Sequence, residues 1–416
     1  MIFFYRIFIN LILILSPIII LVRLLRNKED FKRFKEKIGF FKKDKKKGKL
    51  IWFHGASVGE VLSVIPVIKK YEKDKSIKQI LITSSTLSSS KVLLKFKFKK
   101  TIHQFYPLDH FLFTQRFLKF WKPDIAIFIE SEIWPCMFKS IKKYEIPLVL
   151  LNARITKKTF IRWMKIKKFS KSIFNKISIA YPQNLETKKF LEKLKVKKIN
   201  IIGNLKYAET DSENQDIINH QLKSRFKNKK IWIASSTHSN EEVFCAKAHI
   251  ELKKKFKNLI TIIIPRHVHR AKKIIPEIKN LKLEVIRHSS KNINLKDTDI
   301  YLVDTFGETK KFHQIGNTVF LGGSIIKRGG QNPLEATRLG AKILHGPNTD
   351  NFKDVYKFLK KIKVSKKINT PKQLASSIIF KKNKNTGTKI KNIGEKILKK
   401  TIKELDYLIK NEFKKT

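Results

Sequence analysis

Three acids stand where a parallel-sheet protein would place its chemistry. Glu60 ends the stretch Trp52-Phe53-His54-Gly55-Ala56-Ser57-Val58-Gly59-Glu60. The apolar run Leu50–Phe53 reads as a buried strand, and the run from Val61 to Ile68 reads as a helix start. Residues 55–60 are then a turn at the carboxyl end of a first strand, where open α/β sheets bind ligands. Gly55 and Gly59 would let that turn be tight and come close to a ligand. Glu60 has two readings. It either complements the dipole of its own helix or faces an open cleft as a general base. Glu130 and Glu132, in Glu130-Ser131-Glu132-Ile133-Trp134-Pro135, follow the run Ile125–Ile129 in the same way. A solvated loop with one capping acid competes there with a role in the cleft, and Glu130 is the stronger of the two candidates.

The cations are harder to sort, because lysine is abundant everywhere. Lys206, in Gly203-Asn204-Leu205-Lys206, is singled out only by its place at a domain junction. Arg266 follows the run Thr261–Ile264, within Pro265-Arg266-His267, and suits a phosphate or a base edge. His267 and His269 have no acid at metal-ligand spacing and read as surface histidines. Asp304-Thr305-Phe306-Gly307-Glu308 follows another strand and opens a helix, whose free N–H groups favour an anion. The segment from Gly322 to Ala336 holds four glycines, then Asn332-Pro333-Leu334-Glu335. The glycines read as a phosphate-approach loop. Asn332 as N-cap, Pro333 at N1 and Glu335 at N3 read as a helix start, and Glu335 also suits ribose hydroxyls. Three such loops on one sheet edge make a nucleotide site. Asp297-Thr298-Asp299 has the D-x-D form of metal-using sugar transferases but precedes its strand, so it is set aside.

These residues need a frame. Strand-like runs at Leu50–His54, Gln79–Ser84, Ile102–Tyr106, Ile125–Ile129, Leu148–Asn152 and Ile177–Ala180 alternate with helical stretches. A second series follows at Ile231–Ser235, Leu259–Ile264, Leu283–Ile286, Ile300–Val303, Thr318–Leu321 and Lys342–Leu344. The spacing predicts two doubly wound parallel-sheet α/β domains facing a cleft. The first covers residues 50–206 and the second 231–370. Residues 207–230, with Glu209, Asp211, Glu213 and Asp216, read as a linker plus a helix, and 371–416 as lysine-rich C-terminal helices.

Residues 1–26 are the one membrane-like segment: Ile7 to Val22 carries no charge. It is slightly short for a spanning helix and lacks a cleavage site, so it reads as a retained anchor, spanning or in-plane. The flank, residues 27–49, is strongly basic, with Lys32, Arg33, Lys35, Lys37, Lys42, Lys43, Lys45, Lys46, Lys47 and Lys49. It predicts a cytoplasmic body and attraction to anionic lipid. The chain has 416 residues, 91 Lys and Arg against 34 Asp and Glu, and a net charge of +57. Such an excess attracts acidic partners, but the lysines are spread through every segment, and compositional drift accounts for most of it. Cys136 and Cys245 are the two cysteines; they form no disulfide framework or zinc pattern and fit a reducing compartment.

Taken together and in order, these segments resemble bacterial 3-deoxy-D-manno-octulosonic acid (Kdo) transferases of lipopolysaccharide synthesis. The resemblance covers nearly the whole chain. It also includes Asn152-Ala153-Arg154, Ser235-Ser236-Thr237-His238 and Arg328-Gly329-Gly330-Gln331. It implies a GT-B glycosyltransferase of two Rossmann-like domains with an N-terminal membrane-anchor helix. The implied donor is CMP-Kdo, the implied acceptor lipid IVA (the lipid A precursor), and the implied location the cytoplasmic face of the cell inner membrane. No cofactor or metal is implied. The family pattern makes Glu60 the proton acceptor and gives Glu130 and Lys206 transition-state stabilisation. It assigns CMP binding to Pro265, Arg266, Phe306, Gly307, Glu308, Asn332, Pro333, Leu334 and Glu335. Thr83-Ser84-Ser85-Thr86-Leu87-Ser88 lacks the family's usual Pro and Gly, and Phe306 stands where Met is common.

Two other functions compete. Another GT-B nucleotide-sugar enzyme, of peptidoglycan synthesis or a sugar epimerase, would bind UDP rather than CMP. A membrane-tethered nucleic-acid binder would cluster its cations with aromatics on one face; here lysine is dispersed, and nucleic acid is not an expected partner.

Overall fold

The six strands of the first unit are β1 (Lys49–His54), β2 (Ile77–Ser84), β3 (Thr101–Phe105), β4 (Ile125–Ile129), β5 (Leu148–Ala153) and β6 (Ile179–Pro182). They lie parallel in the order β3-β2-β1-β4-β5-β6. Their runs are nearly continuous in apolar residues because helices cover both faces. Successive side chains alternate between two cores. Leu50, Trp52, Leu81 and Phe128 enter one; Ile51, Phe53, Ile80, Ile82 and Ile127 enter the other. The winding reverses between β1 and β4, where His54 pairs across to Phe128. That reversal brings the loops after β1 and β4 together, at the crevice where such sheets hold ligands.

The computed structural model describes residues 2–26, 29–41, 45–208 and 218–412. The linker acids Glu209, Asp211, Glu213 and Asp216 and the flank residues Lys42 and Lys43 lie outside them. The chain divides into one unit of Met1–Thr210 with Ile393–Thr416, and a second of Asp211–Asn392.

The second unit has seven parallel strands: β7 (Lys230–Thr237), β8 (Leu259–Pro265), β9 (Val285–Arg287), β10 (Ile300–Leu302), β11 (Thr318–Leu321), β12 (Lys342–His345) and β13 (Ser365–Lys367). Their order is β13-β12-β11-β7-β8-β10-β9, reversing between β7 and β11. β13 is absent from the sequence reading: it has three residues, two of them exposed lysines, at a sheet edge, so it shows no hydrophobic period.

The long helix Lys384–Glu412 ends the described chain. Leu405 and Ile409, at 0% and 5% exposure, belong to the first unit's core. Glu404 accepts from Tyr181 Oη and Asn200 Nδ2, and Asp406 from Tyr71 Oη. In the second unit, Gly387 leaves no room for a side chain, since a Cβ would meet the Arg338 carbonyl oxygen at 2.4 Å.

Ile2–Leu25 is a helix with Pro17 inside it. Tyr5 Oη donates to Asp109 at 2.7 Å, while Ile14, Ile18 and Leu25 are exposed. Among the described residues no helix is long and apolar enough to cross a membrane. The basic flank is not wholly free, as its sequence reads. Lys37 donates to both oxygens of the buried Glu29 at 2.8 and 2.7 Å. Arg33 forks onto Glu36 at 2.8 and 2.9 Å.

Candidate active site

Glu60 lies in the first turn of the helix Val58–Lys73, capped by Ser57. One oxygen, Oε2, accepts from the Ala56 N–H at 2.7 Å and the Ser57 N–H at 3.3 Å. The helix-start reading therefore accounts for one oxygen, which closes a capping box with Ser57. Oε1 has no hydrogen-bond partner among the described residues. Burial pushes the carboxyl up to about 7, and the charges of Glu132 and Glu130 add to it against the pull of the two N–H groups. A carboxylate poised near neutrality with one open oxygen is equipped to accept a proton. The glycines work differently from the sequence expectation. Neither Gly55 nor Gly59 has a positive φ. A Cβ at Gly55 would lie 3.1 Å from Glu60 Cβ, a tight approach; at Gly59 a Cβ meets nothing within 4 Å.

Glu130 holds the left-handed region at φ 55, rare for a residue with a side chain. The turn is fixed by its N–H donating to the Leu151 carbonyl and by Arg154 N–H donating to its own carbonyl. Its Oε1 lies 2.5 Å from Lys206 Nζ. Lys206 arrives on a short turn, Leu205–Ala208, that is itself built by side chains. Asn152 Oδ1 accepts the Leu205 N–H at 3.0 Å, and Asn204 Oδ1 accepts the Lys206 N–H at 2.9 Å. Glu132 Oε2 takes the Trp134 Nε1–H at 2.9 Å and faces His54 Nε2 at 3.3 Å. The first unit thus brings together all three acids and the lysine named from sequence. It adds His54, which the sequence showed only as part of a motif.

In the second unit the glycine loop is not the open phosphate cradle that its sequence predicts. The fully buried Glu241 fills it. Glu241 Oε2 accepts from His238 N–H and Gly323 N–H, at 3.0 and 2.6 Å. Oε1 accepts from Ser324 and Ile325 N–H, at 3.1 and 3.0 Å. Gly322 is required by packing, since a Cβ would meet the Ser236 carbonyl oxygen at 2.4 Å. Glu335 is not a helix cap either. Its helix, Leu334–Arg338, has no side-chain capping bond, although Asn332 Oδ1 accepts the Leu334 N–H at 3.1 Å. Glu335 Oε1 instead meets His313 Nδ1 at 3.1 Å. Burial alone would raise its carboxyl, but His313, Lys310 and Arg338 outweigh that and hold it below the usual range. His313 Nε2 in turn meets Ser235 Oγ at 3.1 Å.

Arg266 stands exposed after β8, and its guanidinium has no partner among the described residues. It acts on His238 together with His267 and the exposed Arg328: burial lowers the His238 proton affinity, the Glu241 charge opposes this, and the three positive neighbours add to the lowering. Phe306 is 87% exposed, next to Gly307 at φ 90. Glu308 pairs with Lys311 at 3.1 Å. Pro265 and Leu334 are buried and shape their loops from below. Glu241, His313 and Arg328 escape sequence reasoning as site residues. Glu241 looks like a helix-start acid, and His313 shows no local pattern. Asp299 bonds His249, Lys253 and the Glu284 N–H.

Two parallel-sheet α/β units with acids and cations at their strand ends define a GT-B-like glycosyltransferase fold. A glycosyltransferase from Rickettsia africae has the same fold: TM-score 0.58 at 14% identity, over 88% of this chain and 100% of that one. A UDP-N-acetylglucosamine 2-epimerase matches at TM-score 0.56 and 14% identity, over 89% of this chain and 98% of its own. Residues 32–209 match the family described as 3-deoxy-D-manno-octulosonic-acid transferase (kdotransferase). The 3-deoxy-D-manno-octulosonic acid transferase of Rickettsia bellii is 34% identical over 398 residues, covering 95% of this chain and 94% of the relative. That of Haemophilus influenzae is 32% identical over 77% of this chain and 76% of its own. The chain belongs to the Kdo transferase family of glycosyltransferases.

Proposed function

We propose that the protein transfers Kdo from CMP-Kdo to lipid IVA in lipopolysaccharide synthesis, with inversion and without a metal, at the cytoplasmic face of the inner membrane. The observation that carries this reading is Glu60, a carboxylate pushed up to about 7 with one open oxygen at the turn after β1. In the proposed reaction an acceptor hydroxyl gives its proton to Glu60 as its oxygen attacks the anomeric carbon of Kdo. The bond from that carbon to the CMP phosphate oxygen breaks, and a single displacement inverts the centre. The Glu130–Lys206 pair stabilises charge at the transition state. In the second unit Arg266 offsets the phosphate of the leaving CMP. Phe306, Gly307 and Glu308 and the segment Asn332–Glu335 hold the nucleotide, with Glu335 set by His313 to accept from ribose hydroxyls. The leaving group carries one phosphate, which side-chain cations suffice to balance.

The exposed apolar residues of Ile2–Leu25 support a membrane anchor, spanning or in-plane. The basic surface supports an anionic lipid acceptor. The test is to incubate membranes containing the full chain with CMP-Kdo and lipid IVA and weigh the products. Gain of Kdo mass, retained in EDTA and lost in Glu60→Gln, supports the reading. Transfer only with a UDP-sugar, or loss in EDTA restored by a divalent cation, overturns the donor or the metal-free chemistry respectively.

A further inference from the structure

Glu132 has no task in the reaction as proposed, yet it is the most elaborately held acid of the three. The Trp134 indole donates to its Oε2, and His54 Nε2 faces the same oxygen. His54 is fully buried, and burial lowers its proton affinity, so the ring is neutral. Behind the ring stands a hydroxyl. Trp52 Nε1–H donates to Thr83 Oγ1 at 2.9 Å. The Thr83 hydroxyl is 2.9 Å from His54 Nδ1. The same hydroxyl lies 3.4 Å from the Phe53 carbonyl oxygen; when it donates to Nδ1 instead, the proton of the neutral ring is on Nε2 and points at Glu132. Trp52, Thr83, His54 and Glu132 form one connected chain, and Trp134 closes on its end. His54 is further stacked on Tyr106, ring centroids 3.8 Å apart, and cannot swing away. Loop acids are ordinarily left to water; this one is anchored from β1 and β2.

Two charges and two N–H groups act on the Glu60 carboxyl among the described residues. The Ala56 and Ser57 N–H groups hold one oxygen. Glu130 is a second anion, but Lys206 lies against it. His54 is uncharged, and its neighbour Gly55 packs under Glu60 Cβ. Glu132 is the one negative neighbour without a cation against it among the described residues.

We infer that Glu132, locked by His54 and Trp134, is a positioning residue whose fixed negative charge keeps Glu60 able to accept a proton. The inference rests on Glu60 being the base. A like charge nearby disfavours the ionised form and so makes the carboxylate a stronger base. Burial is the largest cause of the upward displacement at Glu60 and the Glu132 charge the next.

The test is the pH profile of turnover in the full chain, with melting temperature measured alongside. In Glu132→Gln the acid limb should move to lower pH by on the order of 1 unit, with slower turnover on the plateau. Glu132→Asp keeps the charge and should leave the limb near wild type. His54→Asn loosens the clamp and should move the limb the same way as Glu132→Gln, but less. A limb unmoved in both Glu132→Gln and His54→Asn, while Glu60→Gln still abolishes transfer, overturns the inference and leaves Glu60 as base. Normal transfer in Glu60→Gln overturns the base itself. If Glu132→Gln does not fold, the His54→Asn limb decides.

Discussion

Lys206 Nζ and Glu130 Oε1 lie 2.5 Å apart, with side chains only 11% and 7% exposed. Neither charge has much water to fall back on. Removing one partner of a buried ion pair leaves the other uncompensated and costs about 3–5 kcal/mol. Lys206→Met should therefore lower the melting temperature as well as turnover. Glu130→Gln with Lys206→Met should recover most of the stability and none of the turnover. Recovery of turnover in the double variant would mean that the pair only holds the fold.

The carboxyl of Glu60, pushed up to about 7 against an ordinary 4.5, gives two opposite pH trends. Turnover should rise with pH through about 7 as the base loses its proton. Stability should move the other way. Between 4.5 and 7 the folded chain holds a proton that the unfolded chain has released, so this group's contribution, complete below 4.5, is lost as pH climbs to 7. Turnover and denaturant midpoints measured from pH 5 to 8 check both signs. In Glu60→Gln that part of the stability slope should vanish.

Arg266 is exposed and unpartnered among the described residues. Arg266→Ala should weaken CMP binding at least about tenfold, the loss of one charge-assisted bond of about 1.5–3 kcal/mol, while the melting temperature stays within a degree or two. Isothermal titration with CMP and with cytidine separates the contributions, because cytidine lacks the phosphate and should bind the variant as well as wild type.

Glu335 and His313 should behave as a unit. Glu335→Gln should lower CMP affinity and also, modestly, the melting temperature, because His313 loses its charged partner. A double-mutant cycle with His313→Gln should give a stability coupling of about 0.5–3 kcal/mol. A coupling of zero would separate the two residues.

Deleting residues 1–26 removes the Tyr5 hydrogen bond to Asp109 and the Arg23 ion pair with Glu29. The shortened chain should leave the membrane fraction and still bind CMP. High salt should not release the full chain. Release by salt alone would show that basic residues, not the apolar helix, hold it.

Much of the frame is legible because parallel strands buried on both faces write themselves as apolar runs, as Ile125–Ile129 does. Chemistry at strand ends is legible for the same reason: Glu60, Glu130 and Arg266 each follow such a run. What sequence hides is who satisfies whom. The sequence around Gly323 is the same whether the N–H groups of Gly323, Ser324 and Ile325 await a phosphate or already bond Glu241, which comes from the helix after a different strand. The Glu335–His313 contact joins separate short helices. Glu130 shows no sign in its sequence of the left-handed turn that aims it at Lys206.

The helix Lys384–Glu412 also bears on how the chain is made. Leu405 and Ile409 complete a core whose other members begin at Ile51. The ribosome delivers them only after the whole second unit. The sheet at the amino end is thus synthesised long before the residues that seal one of its faces, and it must wait with that face uncovered while the whole second unit is translated. Nascent chains should stay protease-sensitive across residues 50–206 until Leu405 and Ile409 have emerged, and a stop codon just before Leu405 should leave a product that aggregates.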